Sequence, residues 1–455
     1  MALLDALFRW PELDAVFSDA SCLQAMLDFE GALARAEAAC GVIPVTAAAA
    51  ILPACDGQLF DLVRLCEDAG QAGNLAIPML RQLTALVEKA NPSAAGFVHW
   101  GATSQDAVDT GAVLQLRVAL DVVLGELHAL CGNLATLADV HRATVIAGRT
   151  WMQQAAPTTF GFKVAGWLDA LLRHKTRLAQ LREHALVLQF GGAVGTLSAL
   201  GDNAEKVAAA LATELSVTAP AIPWHSHRDR FAEVATTFGL LTGTLGKIAR
   251  DISLHAQTEI GELREPSGAT RGTSSSMPQK RNPVGCAAVL SAALRVPGLV
   301  SSVLAAMVQE DERGLGGWHA EWETIPQIVC LSGGALRHLS AVIAGLEVDT
   351  ARMRENLDLE HGLLYAEGVT ADLAVRIGKR EARCIVEEAC GQAVTRKMHL
   401  RDVLLETPEI LRQSSRQEIT DLFEPRKRLG ASEQMIDGVL QAAGLTKHPS
   451  GKGSA

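Results

Sequence analysis

Residues 116–137, LRVALDVVLGELHALCGNLATL, decide the fold class. Leu116, Leu120, Val123, Leu127, Leu130, Leu134 and Leu137 follow one another at alternating spacings of four and three. That rhythm lays one apolar seam along a helix, as in bundles and coiled coils, and no proline interrupts it. Phe231, Val234, Phe238, Leu241, Leu245, Ile248 and Ile252 repeat the pattern. A third long helix is expected from Phe162 to about Gln189, with a less regular period. Helices of this length need partners along their whole extent. The expected fold is therefore all-α, built around a central bundle of long helices that continues across subunits. Breaks near Asn91-Pro92-Ser93, near Phe190-Gly191-Gly192 and after Gly345 guide the division into three helical domains. These are an N-terminal domain over 1–110, a central long-helix domain over 111–345 and a C-terminal domain over 346–455. The Gly-, Ser- and Lys-rich tail from Thr446 to Ala455 reads as disordered.

Composition agrees with helices. Apolar residues make up 48% of the chain but aromatics only 4%, which suits close packing through small side chains better than aromatic-rich sheets. A net charge of -10 leaves no basic stripe for a nucleic-acid partner. An anionic ligand must then be drawn by a local cluster of cations. The cysteines Cys22, Cys40, Cys55, Cys66, Cys131, Cys286, Cys330, Cys384 and Cys390 are scattered and form no Cys-x-x-Cys pair. They fit reduced thiols in the cytoplasm rather than a disulfide framework or a zinc site. Met1 to Ala6 lack the basic and apolar stretches of a secretory signal. The most apolar region, Val284 to Val308, contains Arg295 followed by Val296-Pro297-Gly298. It reads as a buried, kinked helix rather than a membrane span. The expectation is a soluble cytoplasmic protein with neither a membrane nor a nucleic-acid partner.

Chemistry concentrates in Gly272-Thr273-Ser274-Ser275-Ser276-Met277-Pro278-Gln279-Lys280-Arg281-Asn282-Pro283. Just upstream, Glu265-Pro266-Ser267-Gly268-Ala269-Thr270-Arg271 has the Gly and Pro content of a loop. A hydroxyl-rich, cationic loop suits an anionic substrate, because backbone N–H groups and Lys280 stabilise charge and a serine acts on a proton. An ordinary Ser/Gly linker would not carry the ordered Met-Pro-x-Lys-x-Asn-Pro that follows. A second concentration is His99-Trp100-Gly101-Ala102-Thr103-Ser104-Gln105-Asp106, followed by Asp109-Thr110. Its hydroxyls precede a helix expected from about Ala107, where they hold a carboxylate or simply cap the helix. A third is Gly148-Arg149-Thr150-Trp151-Met152-Gln153-Gln154-Ala155-Ala156-Pro157-Thr158-Thr159-Phe160-Gly161. His225-Ser226-His227 has the look of a metal-ligand pair, but Arg228 and Arg230 beside it repel a cation and no third ligand follows at a recognised spacing. No Gly-rich nucleotide fingerprint or Walker loop occurs. No metal and no cofactor are expected.

The three concentrations resemble the conserved regions of the fumarase/aspartase superfamily. Its signature reads Gly-Ser-Ser-x-Met-Pro-x-Lys-x-Asn-Pro, its first region His-x-Gly-x-Thr-Ser-x-Asp and its second Arg-Thr-His-x-Gln-x-Ala-x-Pro-x-Thr-Phe-Gly. The resemblance implies elimination or addition at a carbon beside a carboxylate, with Ser274 as the catalytic residue. It implies substrate-binding roles for His99, Thr103, Ser104, Thr150, Gln153, Lys280 and Asn282. It further implies a homotetramer whose active sites are shared between chains. Arg228 and Arg313 are candidate carboxylate clamps, since guanidinium pairing fixes orientation, although for each arginine alone a surface ion pair is the commoner role.

Two departures narrow the reading. Trp151 stands where the lyases of the superfamily keep a histidine, and Val284-Gly285-Cys286-Ala287 lacks the glutamate that pairs with it. A lyase releasing an amine must protonate a poor leaving group, whereas a departing carboxylate, with an ordinary pKa of about 4, needs no proton. The branch with this pattern is the 3-carboxy-cis,cis-muconate cycloisomerases. The chain is similar to them in Ala72 to Pro78, Leu188 to Gly192, Pro223 to Arg230 and Trp318 to Thr324 as well. His227 is a departure, standing where the branch places glutamine. The resemblance implies closure of a tricarboxylate, 3-carboxymuconate, to 4-carboxymuconolactone in protocatechuate (beta-ketoadipate) degradation. The alternatives are a lyase of the adenylosuccinate or argininosuccinate type and a helical protein with a dead site.

Overall fold

The structure, a computed structural model, describes residues 5–268 and 271–444. Ala269, Thr270 and the tail from Thr446 onward lie outside the described residues. Among the described residues the chain is all-α apart from two two-stranded ladders. The elements that matter for function are α1 (Asp19–Ala39), α2 (Ser104–Val140), β1 (Val145–Thr150), β2 (Gln153–Thr159) and α3 (Phe160–His184). They continue with α4 (Asp229–His255), β3 (Leu263–Arg264), α5 (Val284–Ala306), α6 (Gly317–Ala344), β4 (Glu347–Val348) and α7 (Thr350–Asn356).

Both seams form as the spacing requires. On α2, Leu116, Leu120, Val123, Leu127, Leu130 and Leu134 are buried, with only Leu137 half-buried near the helix end. On α4 every seam residue from Phe231 to Ile252 is buried. Each such side chain contributes about 1.5–3 kcal/mol by leaving water, which is why helices of this length hold in this chain. α3 ends at His184, short of Gln189. There the chain turns extended, and Leu188 N–H donates to the Thr218 carbonyl at 2.9 Å.

The chain forms two compact units. One comprises Met1–Leu127, His174–Gly246 and Ala288–Arg337, the other His128–Arg173, Lys247–Ala287 and His338–Ala455. The units are interleaved, and each of α2, α3, α4, α5 and α6 contributes residues to both. The core of the first unit gathers α1 with Leu65, Met79, Leu83, Phe190, Val207 and Leu211. The core of the second gathers Val369, Leu373, Val386, Leu400, Val403 and Leu404.

Of the expectation that Val284 to Val308 forms a buried, kinked helix, the burial needs correction. α5 runs continuously through Pro297, and only 28% of its most apolar stretch is buried within the chain. Leu294 is 81% exposed. α6 is 67% buried by the same measure, and both helices are long and apolar enough to cross a membrane by length and composition alone.

One buried group makes stability depend on pH. Glu30 and Glu37 lie two turns apart on the buried face of α1, and neither carboxyl oxygen of Glu37 has a protein partner among the described residues. Burial, reinforced by the charge of Glu30, pushes the Glu37 carboxyl from 4.5 up to about 8. The folded chain therefore holds this proton where the unfolded chain has lost it. Its contribution is complete below about pH 4.5 and is lost as pH rises toward 8. Replacing Glu37 by Gln is expected to raise the thermal midpoint more at pH 8 than at pH 5, as followed by circular dichroism. An equal change at both pH values would contradict a buried, protonated Glu37.

Candidate active site

In the first unit the site begins where α2 begins. Gly101 has φ +71, and a Cβ there would come within 2.9 Å of Leu200, so glycine is needed at this turn. Thr103 and Ser104 then lead into the helix. Neither hydroxyl is engaged by the protein among the described residues, and both residues are half-buried. What fixes them is Asp106, which is fully buried. Its Oδ2 accepts from the backbone N–H of Thr103 (3.0 Å) and Gly192 (2.9 Å). Its Oδ1 accepts from Gly191 N–H (3.0 Å) and pairs with His225 Nε2 (2.7 Å). A carboxylate taking four hydrogen bonds ties Thr103 to the Phe190-Gly191-Gly192 turn and fixes the ring of His225.

The next turns of α2 carry a buried ionic cluster. Arg228 Nη1 donates to Asp109 (2.7 Å) and to the His225 carbonyl (3.3 Å). Its Nη2 donates to Asp109 (3.2 Å) and Glu321 (2.5 Å), and its Nε to Glu321 (3.1 Å). The guanidinium also lies over the rings of Trp224 and Phe231, 4.9 Å from each centroid. Trp318 Nε1 adds a bond to Asp109 at 2.9 Å. All donors of Arg228 are spent on the protein, so the expectation that it clamps substrate gives way to a structural role. Arg313 differs: it is half-buried and spends Nη2 on the Ala193 carbonyl (2.9 Å), beside the turn that Asp106 holds. His227 is exposed.

His99, with φ +60, places Nδ1 2.7 Å from Glu30 Oε1, and Glu30 is buried. Burial alone would lower the imidazole pKa. The charge and hydrogen bond of Glu30, helped by the charge of Asp106, outweigh it and hold His99 above its ordinary value. Glu30 and Asp106 thus favour the charged form of the imidazole, four residues before Thr103.

The second unit carries the other two regions. Arg149-Thr150 ends β1 and Gln153-Gln154 opens β2; Thr150 pairs with Gln153 and Arg149 with Gln154. The two tip residues, Trp151 (φ +51) and Met152 (φ +66), are 96% and 73% exposed. Thr150 and Gln153 are exposed beside them. Behind the hairpin, the buried carboxylate of Glu262 holds Arg149 through both terminal guanidinium nitrogens (2.8 and 3.0 Å). It also meets His255 Nδ1 at 2.5 Å. Burial would raise the Glu262 pKa, but hydrogen bonds from His255, Arg149 and Asn356 win and bring it to about 2.

The signature loop closes through Gly272, at φ +71, whose carbonyl accepts Asn282 N–H at 2.8 Å. Ser274 Oγ accepts from the backbone N–H of Ser276 (3.4 Å) and Met277 (3.1 Å). Donors aimed at that oxygen favour its ionised form. Lys280 is exposed and carries no ion pair among the described residues, and Asn282 Nδ2 lies 3.5 Å from the Thr273 carbonyl. Glu265 anchors the loop's far end by accepting from Gly285 N–H (3.0 Å) and Cys286 N–H (2.7 Å) at the start of α5. Arg281 holds the Glu265 carbonyl (2.8 Å) and Glu347 (2.6 Å).

The structure thus gathers His99, Thr103 and Ser104 at one loop, Thr150 and Gln153 at one hairpin tip, and Ser274, Lys280 and Asn282 at one loop. Three organising residues escaped the sequence reading: Asp106, Glu262 and Glu265. Asp106 carries a local signal, an acid in the first turn of a helix. Glu262 and Glu265 carry none. Among the described residues, no group of three or more His, Cys, Asp or Glu is arranged to hold a metal ion.

Comparison with known proteins matches the chain to the Lyase family over residues 9–298 and to the adenylosuccinate lyase C-terminus over residues 362–439. It is 51% identical to 3-carboxy-cis,cis-muconate cycloisomerase of Pseudomonas aeruginosa, covering 98% of both chains. It is 49% identical to the protein of the same name from Bradyrhizobium diazoefficiens, covering 97% of this chain and 98% of that one. The crystal structure of 3-carboxy-cis,cis-muconate lactonizing enzyme from Pseudomonas putida superposes with a TM-score of 0.92 at 49% identity, covering 97% of this chain and 99% of that one.

Two measurements probe this geometry. With Glu30 replaced by Gln, burial is left to dominate at His99, and the imidazole pKa is expected to fall, as read by NMR titration assigned with a His99→Gln control. A titration that does not move would show that Glu30 does not set this charge. Arg228→Met strands Asp109 and Glu321 in the core and is expected to cost about 3–5 kcal/mol in urea unfolding. A loss below about 1 kcal/mol, the range of a surface pair, would contradict the buried cluster.

Proposed function

Because the chain belongs to the fumarase/aspartase superfamily, we propose that it cyclises 3-carboxy-cis,cis-muconate to 4-carboxymuconolactone. The observation that carries this reading is a site equipped with one proton-transfer residue. Ser274 sits in a loop whose N–H groups converge on its oxygen, while Trp151 and Ala287 occupy the places where the lyases put a histidine and its glutamate. The relatives at 51% and 49% identity carry the cycloisomerase name over essentially their whole length. His255 and Glu262 are no substitute for the missing pair, since both are buried and committed to Arg149 behind the hairpin.

In the reaction, one carboxylate oxygen of the substrate adds to a double-bond carbon, forming the ring C–O bond. The electron pair moves to the carbon beside another carboxylate. Ser274 Oγ–H protonates that carbon, and solvent returns the proton to the serine. In reverse, the serine alkoxide takes the proton and the ring carboxylate departs as a stable anion. Thr103, Ser104, Thr150, Gln153, Lys280 and Asn282 bind the carboxylates and the enolate-like charge, with His99 lining the site and Arg313 adding positive charge. Arg228 stands outside the substrate set. The working form is a cytoplasmic homotetramer in which copies share sites, a reading supported by the unburied apolar face of α5. The pathway is protocatechuate degradation.

The test is to follow loss of the diene absorbance of 3-carboxymuconate, with adenylosuccinate in parallel. Turnover of the muconate alone is expected, and Ser274→Ala should lower kcat by about a hundredfold or more. Turnover of adenylosuccinate alone would replace this reading with the amine-releasing lyase.

A further inference from the structure

We propose that Glu262, together with Asn356, is a positioning residue for substrate binding: the two grip both strands of the β1–β2 hairpin one rung below the pair Thr150 and Gln153. The inference rests on the assignment of those two residues to the substrate.

The hairpin does not hold its tip by ladder hydrogen bonds alone. Its register shifts between Ala147 and Arg149, at Gly148, where a Cβ would lie 2.7 Å from the Ala156 carbonyl oxygen. Such a bulge frees the outer rungs from the phase of the inner ones. The tip itself has two bulky residues at positive φ, both exposed, so nothing among the described residues packs the end into place.

Beneath the tip, the rung Arg149–Gln154 is caught from both sides. Glu262 Oε1 accepts from Arg149 Nη2 (2.8 Å) and Asn356 Nδ2 (2.7 Å), and Oε2 accepts from Arg149 Nη1 (3.0 Å) and pairs with His255. On the other strand, Gln154 Nε2 donates to the Asn356 carbonyl at 2.7 Å. Glu262 and Asn356 are both fully buried. The backbone of Glu262 is pinned too: its N–H donates to the His255 carbonyl (2.9 Å), and its carbonyl accepts Asp349 N–H (3.0 Å). Asn356 Nδ2 also reaches the Ile260 carbonyl at 2.9 Å. A fixed carboxylate meeting a planar guanidinium through two bonds sets orientation as well as distance. The next rung outward therefore inherits its place from Glu262 without Glu262 touching substrate.

A residue that only fills the core would change stability and leave the tip's order and the substrate KM alone. Steady-state kinetics with 3-carboxymuconate and hydrogen exchange over residues 145–159 separate the two roles. In the intact protein, Glu262→Gln is expected to raise KM about tenfold or more while kcat at saturation moves less than about threefold. Exchange at 150–153 should quicken by a similar factor, and Glu262→Asp should recover part of both. Gln154→Ala, at a half-buried hairpin position, keeps the test open should Glu262→Gln not fold. It should raise KM and quicken exchange in the same direction. Unchanged exchange and unchanged KM in folded Glu262→Gln or Gln154→Ala would overturn the proposal. If the wild-type protein fails to turn over the muconate, the functional reading falls. The exchange measurement then still decides the clamp on its own.

Discussion

A carboxylate removed from water has to recover its hydrogen bonds from the protein, and this constraint shapes every functional region of the chain. Asp106, Glu262 and Glu265 are buried, and each recovers them from backbone or cationic groups of a loop or hairpin that carries candidate site residues. The cost of leaving such a charge unpaired is large, so the loops have little choice of conformation. Order at the site is thus a by-product of satisfying charge behind it. The segments that reach outward, Thr103-Ser104, the Trp151-Met152 tip and Ser274 to Lys280, remain half-buried or exposed and free to meet a ligand.

The same constraint explains the division of labour among the charged side chains. Arginines that look available in the sequence are consumed in pairing: Arg228 in the first unit, and Arg149 and Arg281 in the second. Lys280, a compact ammonium on a flexible stem, is left exposed in the signature loop. A chain of net charge -10 thereby keeps an exposed positive charge on its signature loop, while the buried acids Asp106, Glu262 and Glu265 are spent on architecture.

Much of this was legible in the sequence, for reasons that differ by element. The seams of α2 and α4 were readable because a four-three spacing has one packing solution. The signature loop was readable because few functions need its residues in that order. The β1–β2 hairpin was not, since its turn is Trp151-Met152 rather than an Asn-Gly or Asp-Gly pair, and a bulge breaks its alternation. The role of Arg228 stayed open because an ion pair and a substrate clamp look alike until the partners, far away in sequence at Asp109 and Glu321, are seen. The exposed face of α5 was missed because hydropathy measures composition and says nothing of which neighbour covers it.

The interleaving of the two units bears on how the chain acquires its structure during synthesis. The first unit needs residues as late as Arg337, and the second begins at His128 yet is completed only by the C-terminal stretch. A ribosome-bound fragment that stops short of Arg337 therefore holds neither core entire, and a longer one holds only the first. Nascent helices with apolar seams must wait for distant partners, so the first core closes only late in synthesis, the second waits for the C-terminal stretch, and both lean on chaperone protection in the interval.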